Sequence, residues 1–217
     1  MQPRVEALER RDTPSTTVGR GMVVVTGTPR DDVVSVQAEP AADRLTVVFN
    51  GNVTISRLSS VSTVVADLGE GDDYFGYSGP ARSRGDGGLR LVVSLGAGSD
   101  QFLASTGCAQ AVVFGDSGSD HLDAWPGYRG VLTALGGSGN DTVTGGLGED
   151  YLDGGGGNDA VDGRGGDDLL VGGVGRDTVW AASGADTVDA GAGNDLVYAL
   201  ASTAVVPGGA GDRVVIL

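Results

Sequence analysis

The sequence predicts an all-β, parallel β-helix solenoid, and three observations carry that prediction. From Gly136 to the C-terminus the chain repeats every nine residues as Gly-Gly-x-Gly-x-Asp-x-hydrophobic-x, without a slip, in blocks that begin at Gly136, Gly145, Gly154, Gly163, Gly172, Ala181, Ala190, Ala199 and Gly208. The eighth position is aliphatic in every block: Val143, Leu152, Val161, Leu170, Val179, Val188, Val197, Val206 and Val215. Upstream, Gly-x-Asp turns recur at wider spacing, at Gly71-Asp72-Asp73, Gly98-Ser99-Asp100 and Gly118-Ser119-Asp120, each with Phe75, Phe102 or Leu122 two positions on. A nine-residue unit cannot bury its own apolar face and is stable only when stacked on its neighbours.

The elements follow in order. Residues 1–20 are charged, lack the apolar stretch of a secretory signal and read as a tail or leader; Leu8 to Ser15 resembles leaders of some exported bacterial proteins. Residues 21–135 read as longer coils, with short Val-rich strands at Met22 to Val25, Leu45 to Phe49, Val53 to Ile55, Val61 to Ala66, Leu89 to Leu95, Ala111 to Phe114 and Val131 to Leu135. The steps from Asp73 to Asp100, Asp120 and Asp141 are 27, 20 and 21 residues, close to two nonapeptides, and an exposed loop at 78–88 accounts for the longest. A divergent turn ending at Asp32 lies about two such steps before Asp73. Residues 136–198 form the regular array and 199–217 a degraded, capping pair of repeats. There block 199 lacks both glycine and Asp, block 208 places Arg213 at position six, and Val214 to Leu217 supply an apolar end. Arg213 reads either as a cationic cap over Asp195 or as part of an eroded last repeat.

The charge points to a ligand class. Against 29 acidic residues stand 14 basic ones, all arginine, for a net charge of −15, and 40 glycines exceed what an ordinary globular core uses. Such a surface repels nucleic acid and anionic membranes and suits divalent cations. Asp outnumbers Glu by 24 to 5, as expected where a tight turn must hold a short, hard oxygen ligand. A single His121 removes most zinc and iron architectures. A single Cys108 removes any intramolecular disulfide and reads as a small packed side chain. No apolar run approaches a membrane span.

The nonapeptides resemble the RTX (repeats-in-toxin) family, closely over 136–198, in degraded form over 199–217, and only at the turns over 67–135. The resemblance implies a calcium-loaded parallel β-roll. Its turns bind Ca²⁺ through the position-six carboxylate and turn carbonyls, and successive turns fall on opposite edges, so that each ion is shared between one repeat and the next but one. Carried onto this chain, it implies several calcium ions held by Asp73, Asp100, Asp120, Asp141, Asp159, Asp177 and Asp195 on one edge and by Asp150, Asp168 and Asp186 on the other. Turn glycines Gly137, Gly139, Gly146, Gly148, Gly155, Gly157, Gly173 and Gly175 would supply carbonyls. The array would be lopsided, because the second edge upstream has only Thr106-Gly107-Cys108 and Trp125-Pro126-Gly127-Tyr128. Carboxylates stacked at about 4.8 Å repel by about 3 kcal/mol per pair at an effective dielectric near 20, so several such pairs require cations. Two departures qualify individual sites: Ala181-Ala182-Ser183 replaces Gly-Gly-x before Asp186, and Arg164 replaces the second glycine of its block.

Three motifs are read as decoys. Gly115-Asp116-Ser117-Gly118 beside His121 imitates a nucleophile loop but keeps the turn register and cannot supply triad geometry. Arg84-Gly85-Asp86 matches an adhesion tripeptide, common by chance in such a composition. Asp153, Asp162 and Asp189 at position nine read as solvated flanks. The expected function is a secreted, non-enzymatic calcium-binding β-roll, monomeric, with no nucleic-acid partner and no membrane span. The alternative is a cell-surface adhesin or matrix component that uses the roll as a spacer and meets a cell-surface or polysaccharide partner; binding of the isolated chain to cells or polysaccharide would distinguish the two.

Overall fold

The computed structural model describes residues 13–79, 88–206, 208, 209 and 211–217. Leu8 to Asp12 of the leader-like segment, most of the 78–88 loop and the Arg84-Gly85-Asp86 tripeptide lie outside them. Within them the chain is an all-β parallel solenoid, whose only helical turns are Pro40–Ala42 and Leu58–Ser60.

Two sheets face each other across a narrow core. The first takes, in spatial order, Ser15–Gly19, Met22–Thr26, Thr63–Glu70, Arg90–Ala97, Gln110–Ser117, Val131–Ser138, Tyr151–Gly157, Leu169–Gly175, Thr187–Asp189 and Ala204–Val206, with the short Ala192–Gly193 beside Leu169–Gly175. The second runs back along the stack through Arg213–Ile216, Leu196–Ala199, Thr178–Ala181, Ala160–Asp162, Thr142–Thr144, His121–Ala124, Gln101–Ala104, Tyr74–Ser78 and Val33–Glu39, then Arg44–Phe49 and Asn52–Arg57. Parallel register places equivalent residues above one another. Phe102, Leu122, Val143, Val161, Val179 and Val197 form one continuous column. All six are fully buried, as the period-two alternation of these strands requires. At the wider N-terminal coils Phe75 stacks on Phe102, with ring centroids 5.9 Å apart and planes 11° from parallel.

The N-terminal end is closed by two antiparallel hairpins. Arg20-Gly21 joins the first two strands and Asn50-Gly51 joins Arg44–Phe49 to Asn52–Arg57, all four residues being left-handed, as two-residue primed turns demand. Two corrections follow. Ser15–Gly19, expected in the tail, is the outermost strand of the first sheet. The stretch from Asp32 to Asp73, expected to hold two steps, is one coil enlarged by a hairpin, since Val33–Glu39 pairs directly with Tyr74–Ser78.

The nonapeptide period does slip once. Thr178 pairs with Leu196, a full two repeats on, whereas Thr187 pairs with Ala204 and Leu196 with Arg213, each a single position short of that interval. The missing residue lies in the turn before Thr203, which closes through its N–H to the Leu200 carbonyl. Val205 and Val214, and not Val206 and Val215, are therefore the equivalents of Val188 and Val197. Asp212, and not Arg213, takes the position-six place, and Arg213 is exposed. The apolar end does not fold over the last coil: Arg213–Ile216 is itself the final rung, with Ile216 59% and Leu217 66% exposed.

Glycine spacing is set by the approach of successive coils. Gly157 has φ +144°, and a Cβ there would lie 1.6 Å from the Gly139 carbonyl oxygen, whereas one on neighbouring Gly156 would meet nothing nearer than 4.0 Å. Gly157→Ala should lower unfolding free energy by more than about 2 kcal/mol, whereas Gly156→Ala should change it by less than about 0.5 kcal/mol. Denaturant midpoints in saturating calcium check this; equal effects would contradict the coil spacing.

Candidate metal sites

Each coil turns twice, and the turns stack into two edges. Edge A joins the first sheet to the second; edge B leads back. Asp73, Asp100, Asp120, Asp141, Asp159, Asp177 and Asp195 lie in one buried row on edge A, and Asp150, Asp168 and Asp186 in another on edge B. The structure thus stacks on each edge the carboxylates that the sequence spacing assigns to it. In both rows one oxygen, Oδ1, accepts the backbone N–H of the residue one coil earlier. On edge A the chain of bonds runs from Asp73 to Asp195 at 2.7–2.9 Å. On edge B, Asp150 Oδ1 accepts from Leu132, Asp168 from Asp150 and Asp186 from Asp168.

The second oxygen carries the chemistry. Oδ2 of Asp73, Asp100, Asp120, Asp141, Asp159, Asp177 and Asp195 on edge A, and of Asp186 on edge B, is buried with no hydrogen-bond partner. An ionised oxygen in that position costs several kcal/mol unless a cation meets it. Row ends are treated differently. Asp32, one coil before Asp73, receives Thr28 N–H at 2.6 Å and Asn50 Nδ2 at 2.6 Å. Asp212, which extends the row past Asp195, receives Gly209 N–H at 2.7 Å, and that bond holds its pKa below the ordinary range. Asp150, first of the edge B row, receives Gly146 N–H at 2.7 Å. The interior of edge A is left unsatisfied while its ends are tied off by the chain itself.

Burial raises the interior carboxyls. Desolvation is the largest cause throughout, opposed by the N–H bond and reinforced at several positions by neighbouring carboxylates; it lifts Asp73, Asp120 and Asp168 to about 7 and Asp150 and Asp159 to about 6. Asp100, Asp141, Asp177, Asp186 and Asp195 move in the same direction.

The surroundings of these oxygens suit a hard cation. A Cβ on Gly136 would meet the Gly154 carbonyl at 2.5 Å and Asp141 Oδ2 at 2.6 Å; at Gly115 it would meet the Gly136 carbonyl and Asp120 Oδ2. Carboxylate and main-chain oxygens of successive coils therefore converge where the repeat has glycine. Among the described residues no three acidic, His or Cys side chains come together, so two carboxylates per step and backbone carbonyls are the available donors. That all-oxygen set matches calcium. Gly137, Gly139, Gly155, Gly157, Gly173 and Gly175 are left-handed and pack each carbonyl against the next coil, whereas Gly146 and Gly148 on edge B are not left-handed.

Edge B upstream of Asp150 is built from side chains instead. Tyr128 is fully buried, and its Oη accepts from Cys108 Sγ and donates to the Val131 carbonyl, both at 3.3 Å. Burial pushes the Cys108 thiol up to about 11, which leaves it a packed, unreactive group. Gly115-Asp116-Ser117-Gly118 is an edge A turn in which Asp116, at φ +71°, occupies the place of a repeat glycine and accepts Ser94 Oγ.

A family model of the RTX calcium-binding nonapeptide repeat, itself four copies long, matches residues 135–170 and again 162–197. Residues 135–197 are RTX repeats. RTX nonapeptides bind Ca²⁺ at multiple sites, so this RTX array identifies a calcium-binding β-solenoid. No curated protein and no solved structure matches the chain.

Sequence reasoning missed four features of the sites. Asp32, read as the end of a divergent turn, is hidden by the hairpin in its role as the row end, and Asp212 is hidden by the slip. Arg164 shows in the sequence only as a departure from the repeat. The fourth is an outer ladder, in which Asn140 Oδ1 accepts Asn158 N–H and Asn158 Oδ1 accepts Arg176 N–H; the recurring Gly-Asn-Asp of edge A is its signal.

A raised carboxyl binds its proton more tightly in the folded roll than in the unfolded chain, so its protonation favours folding. That contribution is complete below the ordinary value of 3.8 and is lost as pH rises through about 6 to 7. In chelator, the roll should therefore be more resistant to denaturant near pH 5 than near pH 8, whereas calcium should bind more tightly near pH 8. Higher chelator stability near pH 8 would contradict the buried row.

Proposed function

We propose that this chain is a secreted, non-enzymatic protein whose β-roll folds when calcium binds outside the cell. One observation supports it above the others: seven consecutive interior carboxylates of edge A each bury an oxygen that no protein group satisfies. Without cations these rows repel; with divalent ions each step is neutralised and the turns are drawn together. The ligands in this reading are the ten position-six aspartates from Asp73 to Asp195, those inside each row shared by the ions above and below and those at a row end serving one, with turn carbonyls completing each shell.

Location follows from affinity. Sites assembled from two carboxylates and backbone carbonyls belong with extracellular modules, at about 10⁻⁴ to 10⁻³ M, so they would fill outside a cell and stay empty in a cytosol poor in calcium. Residues 136–198 would be the segment most dependent on ions, since it carries acidic rows on both edges, while 21–135 has apolar filling on edge B and hairpins at its end. Residues 199–217 would close the stack, with Asp212 tied to Gly209.

A calcium titration followed by far-UV circular dichroism, with Trp180 fluorescence as a local report, tests the coupling. Trp180 stacks on Tyr198 one coil on, at 5.9 Å and 5°, so its emission should change as the coils assemble. Near pH 8, where the rows are ionised, chelator should leave the array largely unfolded, and calcium in the millimolar range should restore β-structure; identical spectra in both would refute the proposal. Asp159→Ala should remove two bound ions, since Asp159 lies between Asp141 and Asp177, and Asp186→Ala only one, because the next place on its row is Thr203. Equal losses by ion counting would contradict the row assignment.

A further inference from the structure

Arg164 stands where the RTX repeat has its second glycine. Its φ is +59°, a left-handed conformation that a residue with a β-carbon rarely adopts. Its backbone N–H turns aside to Asp162 Oδ1 at 3.0 Å. The side chain runs back along edge B toward the earlier coils. There Nη1 donates to the Ala124 carbonyl and to the Gly145 carbonyl, the latter at 3.2 Å, and Nη2 lies 3.1 Å from Asp123 Oδ1. Asp123 pairs with Thr144 in register, so Ala124 and Gly145 follow as equivalent positions of successive coils. One cation thus gathers two stacked main-chain carbonyls and a carboxylate, with the side chains 27% and 22% exposed.

This place is the junction between two kinds of edge B turn. Before it, Cys108 and Tyr128 fill the turns; after it, Asp150, Asp168 and Asp186 form the acidic row. The ligands that Arg164 collects are of the kinds calcium uses: the guanidinium donates to the two carbonyls and meets Asp123 as an ion pair, leaving Asp123 Oδ1 buried without a hydrogen bond. Asp150 meanwhile has both oxygens bonded to N–H groups, of Leu132 and Gly146.

We propose that Arg164 is a resident cation that takes the place of a calcium ion at the first step of edge B, closing that step to metal and joining the two kinds of turn without it. The inference rests on the reading of these rows as calcium sites. Arg164 is then a site-determining residue: it sets where the edge B ions begin, and the ion row is confined to the steps from Asp150 to Asp186.

Native mass spectrometry of the full chain at saturating calcium tests it by counting ions. Arg164→Gly restores the repeat residue, relieves the left-handed strain and frees Asp123 with two carbonyls, so this variant should bind one more calcium per chain than the wild type. Arg164→Lys keeps the positive charge and should retain the wild-type count. An unchanged count in Arg164→Gly, or the same gain in Arg164→Lys, would overturn the assignment. Failure of Arg164→Gly to fold in calcium would overturn it too, because an ion would then be unable to replace the guanidinium. A wild type that binds no calcium would instead sink the underlying calcium reading, and the two failures are distinct.

Discussion

The structure depends on a carboxylate that is half satisfied. Each interior aspartate of edge A gives one oxygen to the backbone of the previous coil and buries the other without a partner. The first bond fixes register, because a side chain that must reach the N–H one coil back cannot tolerate a shifted stack. The second oxygen makes the same register electrostatically costly, since it lines up like charges at strand spacing. Glycine, left-handed turns and the narrow aliphatic core all follow from bringing these oxygens and the carbonyls of successive coils to one place.

The two edges solve the same turn problem differently. Edge A uses aspartate along nearly its whole length and ties off both ends with its own N–H groups, at Asp32 and Asp212. Edge B begins with packed side chains, where the Tyr128 hydroxyl bridges Cys108 and the Val131 carbonyl, and changes to aspartate only at Asp150. The N-terminal coils are wider and hold Phe75 and Phe102, so they keep more of their stability in apolar packing; of apolar residues the C-terminal coils bury only Val, Leu and Ala, and they carry far more charge. A solenoid of this kind needs its ends protected, and here hairpins protect one end while a shortened turn and a self-bonded Asp212 finish the other.

Much of this was legible because the period is strict. Nine residues per half coil puts every second aspartate on one edge, and the Gly-x-Asp turns at 73, 100 and 120 extend the row even though their spacing is irregular. The last two rungs were misread for a simple reason: Val205-Val206 and Val214-Val215 are each adjacent aliphatic pairs, so a one-residue deletion leaves the hydrophobic pattern intact. Total spacing alone does not reveal the enlarged first coil, because a coil with a hairpin is as long as two plain coils. Asn50-Gly51 between Val-rich segments was a hairpin signal in plain view, and it would have shown that the interval from Asp32 to Asp73 makes one coil and a hairpin. Arg164 was beyond reach of pattern reading, since its ligands are carbonyls on coils that only stacking brings near.

Anomalous diffraction from crystals grown in calcium tests the central claim most directly, because it places each ion on its edge. The account predicts a continuous row of peaks along edge A between Asp73 and Asp195, and peaks on edge B only between Asp150 and Asp186. Peaks beside Thr106 to Cys108 or Trp125 to Tyr128, or an edge A whose buried carboxylates carry none, would contradict it.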